Sequence, residues 1–203
     1  MSDIERLSAL VKNIKLGDNS DELEEYFKLI ESKIIKLFKR DERDTVLSDI
    51  LLADYISKNK DIIIKAFRLK KLQMKIGFIW QFIIGNYPEF KDLGVGHKSG
   101  LDIISTKRKI IIELKNRYNT DNANSRLANY NKLAKYKANH SAYTCIYGVI
   151  NDKKSEGQHK NITHNGVEII YCSGDKLFTL IFADNKNEII RTIKRFFNEV
   201  VNK

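Results

Sequence analysis

Asp102, Glu113 and Lys115 are the residues of this chain whose types and spacing could do chemistry together. They stand in the stretch GLDIISTKRKIIIELKNRYNT, which predicts two strands joined by a turn at Thr106, Lys107 and Arg108. Asp102 is embedded among Leu101, Ile103 and Ile104, a costly place for a charge that has no task. Along the second strand, alternation puts Ile111, Glu113 and Lys115 on one face and Ile110, Ile112 and Leu114 on the other. If the two strands pair as a hairpin, Asp102 approaches Glu113 across the ladder.

Two carboxylates meeting in this way supply hard oxygen ligands of the kind Mg²⁺ prefers, and the carbonyl of Leu114 could supply another. An ion held there polarises a phosphate and lowers the pKa of a bound water. Lys115 beside it could orient that water, help deprotonate it or balance phosphate charge. The set suits phosphodiester hydrolysis. An acid followed two residues later by Lys is also common in a Lys-rich chain, where it makes cross-strand pairs on a solvated strand face. Asp102 has no such explanation.

The elements that must position these residues fall into two parts. Before about residue 92 the chain reads as mainly helical. Leu23, Phe27, Ile30, Ile34 and Phe38 recur at three- and four-residue steps, with Asp21 as a capping residue. A second helical region runs from Thr45 to Leu69, with a break expected near Ser57 to Lys60, and a third from Leu72 to Ile84 carries the only Trp, Trp80. Pro88 follows in a turn. Residues 93–203 change character after the glycine-punctuated GVGHKSG. The runs LDIIST, KIIIELKN, YTCIYGVI, GVEIIYCS and KLFTLIFA predict strands. Between the second and third of these, SRLANYNKLAKYKANH predicts a helix with Leu127, Tyr130, Leu133 and Tyr136 on one face, and NEIIRTIKRFFNEVV predicts a closing amphipathic helix. The expected architecture is one mixed α/β domain over residues 1–203, a central sheet flanked by helices.

Around the central pair, Asn116, Arg117, Asn119, Thr120, Asn122, Asn124, Ser125 and Arg126 form a polar run leaving the catalytic strand. Asn and Arg can read base edges, while Thr, Ser and backbone N–H groups hold phosphates. The plain alternative is a solvated loop with Asn124 or Ser125 capping the next helix. Lys98 stands where it could reach phosphate. His97 beside it has no other His or Cys at zinc-ligand spacing. Gln81 in the apolar WQFIIG is a candidate to support the metal from a preceding helix, or a core residue with an internal hydrogen bond. Trp80, Phe82 and Phe90 read as core, and Arg40, Arg43, Lys70, Lys71 and Lys75 as solvated helical faces.

The chain has 203 residues, 42% hydrophobic and 31% charged, a globular balance with enough length for a sizeable core. A net charge of +10 favours polyanionic partners, although an AT-rich genome's taste for Lys would produce much of it. No apolar stretch is long enough to span a bilayer, and the N-terminus lacks a signal peptide's apolar core. Cys145 and Cys172 read as small core residues of a reduced, cytoplasmic protein.

The stretch from Asp102 through Glu113, Leu114 and Lys115 resembles the PD-(D/E)xK nuclease motif, with Leu101 where the motif has Pro. DLGVGHKSGLDII, IIIELKNRYNT and DNANSRLANYNKLA together resemble type II restriction endonucleases that recognise GG-any-CC sites, over roughly Ile76 to Val149. The resemblance implies the restriction-endonuclease core, with Asp102 and Glu113 holding Mg²⁺ (or Mn²⁺ in its place) and Lys115 as the catalytic lysine. It further implies a homodimer cutting double-stranded DNA at a short near-palindromic site, alongside a cognate methyltransferase that protects host DNA. The competing expectations are a structure-specific repair or junction nuclease on the same core, an RNA-directed nuclease, and a basic DNA-binding protein without catalysis.

Overall fold

A computed structural model of the chain describes residues 20–39, 60–154 and 156–201. Helix α1 (Ser20–Lys39) buries Leu23, Phe27, Ile30 and Ile34, the stripe that its sequence spacing predicts. Asp21 lies in its first turn, where a carboxylate favours the helix dipole. The Phe38 side chain, Arg40, Arg43 and residues 45–59, with most of the expected break, lie outside the described residues. The expected second and third helical regions meet in one helix, α2 (Lys60–Gly85), because nothing between Leu69 and Leu72 breaks a helix. Pro88 sits in the turn that follows.

Six strands form one mixed sheet in the order β1-β2-β3-β4-β6-β5. They are β1 (Lys91–Asp92), β2 (Ile103–Ser105), β3 (Ile110–Arg117), β4 (Thr144–Asn151), β5 (His159–His164) and β6 (Val167–Ser173). β2 and β3 pair antiparallel with Ile103 opposite Ile112. β3 and β4 run parallel, so they need a crossover, and α3 (Ala123–Asn139) supplies it. The β2–β3 turn is held by Ser105 Oγ, which accepts the Arg108 amide at 3.1 Å. The Arg108 guanidinium also donates to Glu89 at 2.6 Å and to the Ile181 carbonyl at 2.9 Å.

One expected strand is a helix, and one strand is unanticipated. KLFTLIFA is not a strand but most of helix α4 (Gly174–Phe182), in which Gly174, Leu177, Ile181 and Phe182 are buried at helical spacing. Its short apolar run fits either period, and tertiary packing decides. Conversely, HKNITH forms β5, which the sequence hides because an edge strand with solvated side chains shows no apolar alternation. A short 3-10 turn (Ala183–Asn185) leads into α5 (Lys186–Val201), the expected closing helix.

The sheet divides the molecule into two apolar layers. On one face, α1, α2, α4 and α5 pack over Ile103, Ile112, Ile146, Ile150 and Cys172, with Ile110 and Leu114 at its margin. Gly148 lets α4 approach there, since a Cβ would stand 3.2–3.3 Å from Ile112, Leu114 and Leu177. On the other face α3 covers Leu101, Ile111, Cys145, Tyr147, Val149 and Ile169, using Leu133 and Ala134. Leu127, expected on that buried face, is instead exposed, because Asn129 takes the inward position. Both cysteines are buried and unbridged, and burial pushes each thiol up to about 11.

Candidate active site

The alternation of β3 is realised as the sequence predicts: Ile112 and Leu114 enter the layer under α1, α2, α4 and α5, while Ile111 enters the α3 layer. Glu113 and Lys115 therefore share the α3 face. Continuing the β2–β3 register by one residue sets Asp102 opposite Glu113. The Asp102 amide donates to the Ile112 carbonyl at 3.1 Å, and its carboxylate Oδ2 accepts the Leu114 amide at 2.7 Å. In an extended strand a residue's N–H and C=O leave on the same edge, so the Leu114 carbonyl also faces the Asp102 side.

Glu113 is 3% exposed. Its Oε1 accepts from Lys115 Nζ at 2.8 Å and lies 3.9 Å from Lys132 Nζ. Its Oε2 is buried with no hydrogen-bond partner among the described residues. A buried carboxylate oxygen without a donor is costly, and a cation is a physical remedy for it. Asp102 carries the same signature: burial, followed by the neighbouring Glu113 charge, pushes its carboxyl up to about 6, against the opposing Leu114 hydrogen bond and the Lys115 and Lys132 charges. Burial pulls the Lys115 ammonium down, but its hydrogen bond to Glu113 and the charges of Glu113, Asp121 and Asp102 outweigh that and hold it above its ordinary value. Lys115 is cationic at neutral pH.

A third acid completes the surroundings. Asp121 lies 3.9 Å from Lys115 Nζ and accepts from Tyr147 Oη at 2.7 Å and from Asn129 Nδ2 at 2.8 Å. Asn129 in turn accepts from Lys132 Nζ at 3.1 Å. Burial and the Asp121 contact raise the Tyr147 phenol far above its usual value, so it remains a donor. Asp121, Asn129, Lys132 and Tyr147 were not singled out by sequence reasoning. The available signal was Tyr147 standing in register with Glu113 on the parallel neighbour strand, which needs the pairing to be known. Gly100, with a φ of +66°, lets the preceding loop pass beside Lys132, whose Cδ would be 3.4 Å from a Cβ there.

The other candidates disperse. Gln81 donates to Asp92 at 3.0 Å, an internal bond on the opposite layer. His97 is tied to Ser99 at 2.8 Å within its own loop, and Lys98 is exposed beside it. Asn116 turns away from Glu113, donating to Gln73 of α2 and accepting from Asn151 at 3.0 Å. Arg117, Asn119, Thr120, Asn124, Ser125 and Arg126 are exposed. Asn122 caps α3 by accepting the Ser125 amide at 2.8 Å, the role that the sequence suggested for Asn124 or Ser125.

Among the described residues, no group of three or more His, Cys, Asp or Glu side chains is gathered as a metal site. Asp102 and Glu113 are a pair, and their all-oxygen donors, the Leu114 carbonyl and the orphaned Glu113 Oε2 suit a hard divalent cation.

A mixed six-stranded sheet between helical layers is a restriction-endonuclease-like fold. The family model of the Eco47II restriction endonuclease matches residues 25–202, and the chain belongs to that family. The match reaches from α1 through α5, well beyond the stretch from Ile76 to Val149 that carries the sequence resemblance. No curated protein matches the chain significantly. Among the described residues, no helix is long and apolar enough to cross a membrane.

Proposed function

We propose that this restriction endonuclease is a type II enzyme that hydrolyses phosphodiester bonds in double-stranded DNA at a short near-palindromic sequence, using Asp102, Glu113 and Lys115. The observation that carries this reading is the buried, partnerless Glu113 Oε2 beside a carboxyl whose ionisation is held back to about pH 6. Neither feature favours the fold, and both are relieved by a bound cation.

Asp102 and Glu113 would hold Mg²⁺, or Mn²⁺ in its place, with the Leu114 carbonyl as a third oxygen. Such an ion supplies Lewis-acid polarisation of the phosphate and a more acidic water. Lys115 holds its positive charge at the reacting phosphate and orients the attacking water by hydrogen bonding. Asp121, fixed by Tyr147 and Asn129, keeps Lys115 in place once Glu113 is engaged elsewhere. Lys132, at 41% side-chain exposure, presents a second cation to the phosphate. Water adds to phosphorus, the bond to the leaving oxygen breaks, and that oxygen takes up a proton.

The likeness of DLGVGHKSGLDII and ELKNRYNT to GG-any-CC enzymes makes that sequence the first to test. The exposed Arg117, Asn119, Asn124 and Arg126 are the groups offered to base edges and phosphates. A symmetric site calls for a twofold protein, and the exposed apolar side chains Leu69, Met74 and Phe78 of α2 are available to a second copy. The enzyme works in the cytoplasm alongside a methyltransferase of the same specificity.

Digestion of sequenced phage DNA with Mg²⁺ and with EDTA tests the proposal. Discrete fragments that require Mg²⁺ and end at one repeated sequence are expected. Smears without common ends, or cutting confined to branched substrates, would replace it with a structure-specific nuclease.

A further inference from the structure

On the face of the sheet opposite Glu113, α2, α4 and α5 line a cavity of about 700 Å³, open to solvent, at the C-terminal end of β4. Its apolar wall includes Trp80 and Phe178, whose ring centroids are 5.2 Å apart with an interplanar angle of 32°. Its rim carries Lys154 and, along α5, Arg191, Lys194 and Arg195. All four cations are exposed, and no described residue is paired with any of them. The three on α5 recur at three- and four-residue steps, so they share one helix face. Of the two acids in the cavity, Asp175 is paired with Lys186 at 2.8 Å, while Asp152 accepts from the neutral Gln158 at 2.8 Å and keeps its charge. Against these two carboxylates stand Lys186 and the four rim cations, so the balance is positive.

We infer that this cavity is a second DNA contact, taking one unstacked nucleotide of the bound DNA with its base against the Trp80–Phe178 wall and its phosphates on the α5 cations. The volume admits a nucleotide but not a duplex, and aromatic rings with cations at the rim are the combination that holds single-stranded nucleic acid. The position agrees. Asn151, which lines the cavity, bonds to Asn116, the residue after Lys115, so the cavity and the candidate active site open at the same end of the sheet from opposite faces. The inference rests on DNA being the ligand of this family and is independent of which residues cut.

Trp80 is the only tryptophan in the chain, so its emission reports the cavity directly. The full-length protein is titrated in EDTA, which prevents cutting, with a dye-labelled ten-nucleotide oligothymidylate, and Trp80 emission is read beside the anisotropy of the dye. Quenching that saturates with the anisotropy is expected. In R191A/K194A/R195A, checked for folding by circular dichroism, binding is expected to weaken at least about tenfold and the slope of log affinity against log salt to fall by about 2. Lys160→Ala, at an exposed position of edge strand β5 outside the cavity lining, should bind and quench as the unaltered protein does, which separates this contact from general surface charge. Oligonucleotide binding with unchanged Trp80 emission, or an unchanged salt slope in the triple variant, would overturn the inference. Equally tight quenching by free thymidine monophosphate would also overturn it, marking a mononucleotide site instead.

Discussion

The two faces of β3 use the same backbone for opposite ends. Toward α1, α2, α4 and α5 the strand stays apolar from Ile110 through Leu114, and Ile112 is fully buried. Toward α3 it is apolar only as far as Ile111. From Glu113 onward that face holds a carboxylate with an unsatisfied oxygen, a lysine and a facing Asp102 whose ionisation is opposed by burial. Burial on the first face contributes stability in proportion to apolar area, whereas burial of charge on the second opposes folding. A strand can carry an unfavourable site on one side because the other side anchors it.

Substitutions on the two faces should separate activity from stability. The largest effect is expected from Lys115→Ala, which should lower single-turnover cleavage about a thousandfold or more while leaving the unfolding free energy within about 1 kcal/mol of the parent, as judged by urea titration in saturating Mg²⁺, where the cation and not Lys115 balances the buried Glu113 charge. A comparable loss of stability would make Lys115 a structural partner of Glu113. Ile112→Ala, on the opposite face of the same strand, should do the reverse. It should cost about 3 kcal/mol of stability by the same titration, with cleavage per folded molecule nearly unchanged. Tyr147→Phe keeps the ring packing but removes the donor to Asp121. It should cost about 1 kcal/mol of stability and slow cleavage more than it weakens DNA binding, read as a drop in kcat at constant KM.

The pH dependence sharpens the same contrast. Asp102 must be ionised to hold a cation, so cleavage at limiting Mg²⁺ should rise with pH through about 6 and level above it. A profile flat from pH 5 to 8 would detach Asp102 from the reaction. Stability without metal should move the other way. A folded-state value raised to about 6 means that the folded protein binds the proton more tightly than the unfolded chain, so stability falls as pH rises from about 4 to about 6 and stays lower above.

The Asp102, Glu113 and Lys115 set was legible because hairpin pairing and strand alternation are local rules that act within about fifteen residues. The Asp121, Asn129, Lys132 and Tyr147 surroundings were not, because they depend on β4 lying parallel to β3 and on which way the crossover helix faces. The cap of α3 was sought at Asn124 or Ser125 instead of Asn122 because several Asn and Ser residues there satisfy the same preference. β5 lacks an apolar face, and α4 reads as a strand because a short apolar-rich run carries too few turns to fix a period. The resemblance covers the stretch from Asp102 to Lys115 and gives no hint of the cavity beneath Trp80, since its lining comes from three separate helices and the end of β4.

If the carboxylates of the α3 face serve a cation and not the fold, removing one charge should strengthen the fold and abolish cutting. Asp102→Asn keeps the shape and an oxygen for the Leu114 amide while removing the charge. The most direct test is its urea unfolding in EDTA at pH 8, measured beside its cleavage of DNA in Mg²⁺. The variant should be more stable than the parent, by up to about 3 kcal/mol, and should no longer cut. A variant that is less stable, or one that still cuts at the parent rate, would contradict that cation-binding role.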